Sequence, residues 1–534
     1  MSENNFVLFS DKKVLSVLFL IFIINIILRV PGVYQELPPN SFCDEDLITN
    51  YAFKNYNENK IYYYGVGQIN YYLAAIPSYF SDLFLEQKLS HNKFIVLSRF
   101  LGPVFFNSIG AVIIFFTIHL LSKSLIVCIL FSILYTFSPM NLGLSRIFYP
   151  DHYLIIFSTI CLFLSLLSIK GPSNNLRIII GSFTVAFAAS VKIHGFVLIL
   201  PLIFSNLTFF QKGSEFDFFS IKSSIIKTLF IIFGSLIFFS ILNPFLFIEG
   251  FTVLEKYIDW KRSIYSKDVE YLMSNNPYSF YTMVTLFCSF GISASLLFII
   301  GFIKVYRSDL QLFLTLISCP LVLILFFGQL ELAVIRNMNL SLPFVLIFIV
   351  YGYFNSIHII KNQFLKYMMI LVLFIEPVSK SLFSFYSDFK IDSRIKTRKW
   401  VSKNIIEGST IASNRGCFQP FPFDSNKFNS IDLGFSSAMI YFENYDNIDY
   451  LIIDSWFGDM IGKDKHKSEQ SWTIIFTEKI FNNLTFINAG GMFHENKYQK
   501  GLLRNNYFEH IHTIRGYGPN IFIYENKKRF VDNS

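Results

Sequence analysis

Apolar runs long enough to cross a hydrocarbon core of about 30 Å recur from residue 14 to residue 386, each cut off by a short polar or charged segment. They fall at 14–30, 98–121, 125–143, 152–169, 177–191, 195–210, 228–247, 281–303, 310–328, 339–356 and 367–386, and they predict about eleven membrane helices. After residue 390 the rhythm stops. The remainder mixes Asn, Asp, Lys, Gly and aromatic residues with short β-rich runs, YLIID at 450–454 and NIFIYE at 520–525, a pattern that predicts a soluble α/β domain. The expected fold is therefore a polytopic α-helical membrane protein over 1–388, with a first extracytoplasmic loop at 31–97, followed by a C-terminal soluble α/β domain over 389–534.

Composition agrees with the pattern. Of 534 residues 53% are hydrophobic and 15% charged, with a mean hydropathy of +0.47, which excludes an ordinary soluble enzyme. A net charge of +8 in a soluble chain would suggest a polyanionic partner. Here much of it sits in short loops between spans, so it reports orientation and implies no nucleic acid. With the N-terminus cytoplasmic, the inner loops hold Lys12, Lys13, Lys123, Lys170, Arg177, Lys212, Lys222, Lys227, Lys304, Arg307, Lys361 and Lys366, which puts the C-terminal domain outside. The first run follows Lys12 and Lys13 as in a signal peptide, but NIILRVPGVYQ offers no small-residue cleavage site, so it is expected to be a retained span. Four of the six cysteines (Cys128, Cys161, Cys288 and Cys319) lie in apolar runs; Cys43 and Cys417 are the two that a bridge could join.

The first outer loop is long for a connection and carries its own pattern. GQINYYLAAIPSYFSDLFL repeats apolar residues at Ile69, Tyr72, Leu73, Ile76, Phe80, Leu83 and Phe84, which predicts a helix in the interface plane. Tyr62, Tyr63, Tyr64, Tyr71 and Tyr72 suit that depth.

Several ionisable groups fall where spans meet the outer face. Asp44 and Glu45 lie in SFCDEDLITNYAF; Arg146, Asp151 and His152 in SRIFYPDHY; Lys192 and His194 in ASVKIHG; Arg336 in VIRNMNLSLPF. Charges at a bundle edge are costly unless paired or solvated, which makes them a functional-site hypothesis. Carboxylates can accept a proton from a hydroxyl or bind a cation, and Lys and Arg can hold phosphate oxygens, a mixture that matches group transfer away from a phosphate. Each group also has a plain alternative. The acids could be a solvated loop, Arg146 and Asp151 a structural pair, and Lys192 and Arg336 snorkelling cations.

In their order, FCDEDLITNYAF, YYYGVGQINYYLAAIP, SRFLGPVFFNSIGAVIIFFTIHLL, SPMNLGLSRIFYPDHYLIIFSTICLF and AFAASVKIHGFVLILPLI resemble the type-C integral membrane glycosyltransferases, the lipid-phosphosugar-dependent superfamily of protein O-mannosyltransferases and aminoarabinose transferases. RNMNLSLPFVLIF and TRKWVSKNIIEGSTIAS resemble that superfamily's late Arg-to-Pro segment and the start of its outer domain. No insertion resembles the sugar-binding repeats of eukaryotic protein mannosyltransferases, and SWFGDM is a poor substitute for the tryptophan-rich motif of oligosaccharyltransferases, which leaves a bacterial-style transferase in an inner membrane.

The resemblance implies a polyprenyl-phosphate sugar donor, a lipid, glycan or protein acceptor, and transfer with inversion at the outer face. Asp44 takes the place of the acid that activates the acceptor, with Glu45 beside it, and Asp151 that of a second acid. Lys192, Arg336 and Arg146 are the donor-phosphate candidates, His152 and His194 accessory ones. A divalent cation could be shared by Asp44 and Asp151. His510 and His512, which share one side of an extended strand, could with His494 hold zinc. A flippase or transporter is the alternative from another class, and it predicts internal repeats and broken helices with midplane charges.

Overall fold

The structure is a computed structural model that describes residues 12–34, 43–58, 69–85, 88–145, 148–171, 174–207, 218–244, 277–329, 335–387, 389, 393–413, 427–432, 448–454, 508–514 and 521–526. Two compact units divide it. The first comprises Met1–Val33, Ile48–Lys267 and Leu272–Ser381, the second Tyr34–Leu47, Asp268–Tyr271 and Leu382–Ser534.

The first unit is helical. Helix α1 (Lys12–Val33) is followed by α2 (Cys43–Glu58) and α3 (Ile69–Leu85) in the expected outer loop, then by α4 (His91–Ser122). Inside α4 a π-helical turn, Phe100–Val104, contains Pro103, whose missing N–H interrupts the regular ladder. Next come α5 (Leu125–Thr136), the short α6 (Pro139–Leu144), α7 (Pro150–Lys170), α8 (Asn175–Val191) and α9 (Ile193–Asn206), whose first turn is 3-10. Helix α10 (Phe218–Leu242), α11 (Pro277–Phe287), α12 (Ile292–Ser308), α13 (Leu310–Gly328) and, after a 3-10 turn over Ile335–Ser341, α14 (Leu342–Ile359) complete the bundle, and α15 (Gln363–Ser387) follows.

Among the described residues seven helices are long and apolar enough to cross a membrane, and eight if the pair α11 and α12 counts as one span. The expected spans at 125–143, 177–191 and 195–210 correspond to shorter apolar helices, Leu125–Thr136, Asn175–Val191 and Ile193–Asn206. The first of these stops early because Ser138 caps a new helix with Pro139 at its first position: the Ser138 hydroxyl accepts the Asn141 N–H at 3.4 Å. The expected span at 281–303 is not straight. It bends by 98° at a break between Phe287 and Ile292 that ends on Gly291, whose φ of +92° lies where a side chain is strained. Glu376 of α15 caps the new helix by accepting the Ile292 N–H at 2.7 Å and pairs with Lys380 one turn on.

Polarity runs opposite to that of a soluble bundle. Phe19, Leu20, Ile126 and Phe230 are exposed, while Asn25, Arg29, Arg99 and Asn107 are fully buried. A lipid-facing exterior permits the first, and interhelical hydrogen bonds satisfy the second. Arg29 of α1 donates to Ser145 Oγ at 2.6 Å and to Asn25 Oδ1 at 2.8 Å, and Asn25 donates to Thr136 Oγ1 at 2.7 Å. Helix α1 is thereby fastened to α5 and to the start of the segment that leads into α7.

The periodic run at 69–84 forms α3, and α2 is fastened beside it. Tyr56 donates to Asp82 Oδ1 and accepts the Leu89 N–H at 3.0 Å, while Phe53 stacks against His91 and Phe94.

The second unit holds α16 (Ser393–Asn404) and a five-stranded sheet of order β2-β1-β3-β5-β4, with β1 Thr410–Ser413, β2 Asn429–Asp432, β3 Tyr450–Asp454, β4 Phe508–Ile514 and β5 Ile521–Asn526. Strand β1 pairs in parallel with β2 and β3, whereas β5 pairs antiparallel with β3 and β4. The runs YLIID and NIFIYE supply β3 and β5. Val401 and Ile405 of α16 pack with Ile411, Phe428, Tyr450, Ile452 and Ile523 into one core. Between His510 and His512 the register shifts: His510 pairs with Tyr524 and His512 with the adjacent Ile523. The two histidines thus occupy consecutive register positions, not the two-apart spacing that an unbroken strand would give them. His494 and Cys417, and the side chain of Cys43, lie outside the described residues.

Candidate functional site

The candidate site is assembled from three chain segments that sequence separates by up to 187 positions, from Tyr149 to Arg336. The first is the start of α7. Tyr149 is extended (φ −104°, ψ 143°), as a residue before proline must be, and Pro150 opens the helix. Asp151 follows in the first turn, where the helix dipole favours an acid.

The second segment is the turn between α8 and α9. Lys192 ends α8 in an extended conformation (φ −148°, ψ 134°), and its carbonyl accepts the Gly195 N–H at 2.8 Å. Gly195 lies against the last turn of α8: a Cβ there would stand 2.4 Å from the Ala188 carbonyl carbon and 2.5 Å from its oxygen. Only a residue without a side chain lets the turn close this tightly. Asn70 of α3 donates to the Val191 carbonyl at 3.1 Å, and Asn243 donates to Ser190 Oγ at 2.6 Å, so the end of α8 is held from two further sides.

These segments meet in an ion pair. Lys192 Nζ donates to Asp151 Oδ2 at 2.7 Å, with the Asp151 side chain fully buried and that of Lys192 26% exposed. Asp151 Oδ1 is buried with no hydrogen-bond partner. A carboxylate this desolvated is sustained by the cation beside it. The Lys192 ammonium has three donors and spends one on Asp151.

Arg336 and His194 lie within electrostatic reach of the Asp151 carboxylate. Arg336, on the 3-10 turn before α14, places its guanidinium carbon 4.8 Å from the centre of the Tyr149 ring. His194 meets the edge of Phe327 at 5.2 Å. His152 is fully buried; its Nδ1–H meets the Tyr149 carbonyl, and its ring packs 3.8 Å from that of Tyr153.

The structure therefore brings Asp151, Lys192, Arg336 and His194 together and sets His152 into an aromatic cluster beside them. Asp44 and Glu45 belong to the first turn of α2, with side chains outside the described residues, and Arg146 lies outside them altogether. Among the described residues no three His, Cys, Asp or Glu side chains gather as metal ligands. Sequence reasoning missed Tyr149, Asn70 and Gly195. Tyr149 carried a signal, an aromatic residue directly before Pro-Asp at a span edge; Asn70 and Gly195 act through contacts that no local pattern encodes.

Over residues 14–256 the chain matches the family model described as dolichyl-phosphate-mannose-protein mannosyltransferase. The match spans Asp44, Glu45, Arg146, Asp151 and Lys192 and stops short of Arg336, and it bears out the resemblance to type-C membrane glycosyltransferases. No curated protein matches the chain. Among solved structures, similar folds include the archaeal oligosaccharyltransferase AglB from Archaeoglobus fulgidus in complex with an inhibitory peptide and a dolichol-phosphate (11% identity, 82% of this chain and 69% of that one, TM-score 0.48). ArnT from Cupriavidus metallidurans bound to undecaprenyl phosphate is 9% identical over 98% of both chains (TM-score 0.44). The arabinofuranosyltransferase AftD from Mycobacteria is 11% identical over 95% of this chain and 40% of that one (TM-score 0.43).

Proposed function

We propose that this chain is a membrane glycosyltransferase that moves a sugar from a polyprenyl-phosphate donor to an acceptor hydroxyl at the outer face of the membrane, with inversion. The observation that carries the reading is the pair of Asp151 and Lys192 with Arg336 beside it, in a chain whose first half matches the mannosyltransferase model. The two ammonium donors that Lys192 does not spend on Asp151, together with the Arg336 guanidinium, suit the oxygens of a lipid phosphate. As the bond from the anomeric carbon to the phosphate oxygen breaks, charge builds on that phosphate and these cations stabilise it. The acceptor oxygen forms the new bond from the opposite side, and its proton passes to Asp44.

Asp151 is assigned here to Lys192. Its full burial and its bond to the ammonium suit a carboxylate that orients the cation better than one that touches the acceptor. Glu45 is kept as a second candidate for the acid and Arg146 as a further candidate for the phosphate. A divalent ion between Asp44 and Asp151 enters no step.

A flippase is supported by a different observation, the helix broken by 98° at Gly291 with the carboxylate of Glu376 at the break. Incubating membranes with labelled polyprenyl-phosphate sugar separates the two. The transferase reading expects label to leave the lipid for an acceptor, with turnover collapsing in Asp44→Asn while the amount of protein in the membrane stays constant. In the double variant Asp151→Asn/Lys192→Gln, which strands no buried charge, the donor KM is expected to rise. Label that crosses the membrane still attached to lipid sinks the transferase reading, and near-full activity of Asp44→Asn sinks the base.

A further inference from the structure

The contact between Arg336 and Tyr149 joins two segments that the ion pair does not join. Arg336 sits on the 3-10 turn over Ile335–Ser341, and Tyr149 is the residue from which α7 starts. The guanidinium carbon lies 4.8 Å from the ring centre, inside the range in which a cation is attracted to an aromatic face. Such a contact is made through the face of the ring and engages the cation by charge, not through an N–H···O bond. The ring is nearly buried, and its backbone is held independently: the Tyr149 carbonyl accepts from the His152 ring, and Pro150 follows it directly. Its neighbour two residues on, Asp151, acts on the same guanidinium through charge.

We propose that Tyr149 is a positioning residue for the donor phosphate: its ring is the platform that holds the Arg336 guanidinium in place. The proposal rests on the reading of Arg336 as a phosphate-binding group. In the assembled site the two cations are then held by two different devices, Lys192 by a carboxylate and Arg336 by a ring. A lysine at 336 would keep the charge and lose the planar fork, and an aliphatic residue at 149 would keep the backbone and lose the platform.

Steady-state kinetics on membranes with a labelled polyprenyl-phosphate sugar test this. Tyr149→Phe keeps the aromatic face and is expected to leave the donor KM within about twofold of wild type. Tyr149→Leu and Tyr149→Met lose the face and are expected to raise that KM by roughly fivefold to tenfold with kcat little changed. Two variants are used so that a packing failure in one does not decide the matter. In an Arg336→Gln background neither is expected to raise KM further, because the platform then has nothing to hold. The proposal is overturned if Tyr149→Phe raises KM as much as Tyr149→Leu, or if the rise persists in full in the Arg336→Gln background. If Arg336→Gln leaves the donor KM unchanged while Asp151→Asn/Lys192→Gln raises it, the platform is wrong and the donor site stands. If neither changes it, the donor-site reading itself falls, and the platform with it.

Discussion

Lys192 and Asp151, 41 positions apart in the chain, are joined across 2.7 Å, and only the lysine has any exposed surface. That asymmetry has a measurable consequence. Lys192→Gln leaves a fully buried carboxylate without its cation, at a cost of about 3–5 kcal/mol. In Asp151→Asn/Lys192→Gln the stranded charge is gone, and the double variant is expected to be more stable than the single Lys192→Gln. Thermal unfolding of the detergent-solubilised proteins reads the difference; equal losses in the single and double variants would count against a desolvated pair.

Gly195 sets the path of the turn that carries Lys192. Its missing Cβ would overlap the Ala188 carbonyl group, backbone that cannot swing aside. Gly195→Ala is expected to destabilise the protein by about 1–3 kcal/mol and to raise the donor KM, since the turn must open and move Lys192. Wild-type stability and kinetics in Gly195→Ala would show that the turn tolerates a side chain.

Glu376 holds the break in the α11 and α12 pair. Its carboxylate accepts the Ile292 N–H and pairs with Lys380, so Glu376→Ala removes a cap and an ion-pair partner together. A loss of about 1–3 kcal/mol is expected, with a smaller loss in Glu376→Gln, which keeps an acceptor oxygen. Hydrogen exchange over the first turn of α12 is the direct measurement, and unchanged protection in Glu376→Ala contradicts the capping role.

In the second unit, burial and the neighbouring Glu525 carboxylate push the Tyr450 hydroxyl up to about 12. The hydroxyl donates to Glu525 Oε1 at 3.1 Å, a bond that only the neutral phenol can make. In the unfolded chain the phenol ionises near its ordinary value of about 10, so its contribution is complete below that pH and is lost as pH rises from about 10 to 12. Hydrogen exchange of β3 and β5 in the full chain is expected to accelerate across that window, and less so in Tyr450→Phe. Equal acceleration in both removes Tyr450 as the cause.

What the sequence determined by itself was whatever depends on neighbours in the chain. The spacing of apolar runs located the helices, because a hydrocarbon solvent demands long uncharged segments whatever they pack against. Short β-rich runs located β3 and β5, because that preference is local. The same reasoning could name Asp151, Lys192 and Arg336 as edge charges but could not choose between snorkelling and pairing, since that choice depends on which ends of α7, α8 and the turn at 335–341 meet. Tertiary structure made the choice by burying Asp151 and placing Lys192 on it. It also decided the bend at Gly291, the shift between His510 and His512, and the ring under Arg336. Each of these is a long-range contact or a register, fixed by how elements pack against one another and carried by no periodicity in the chain.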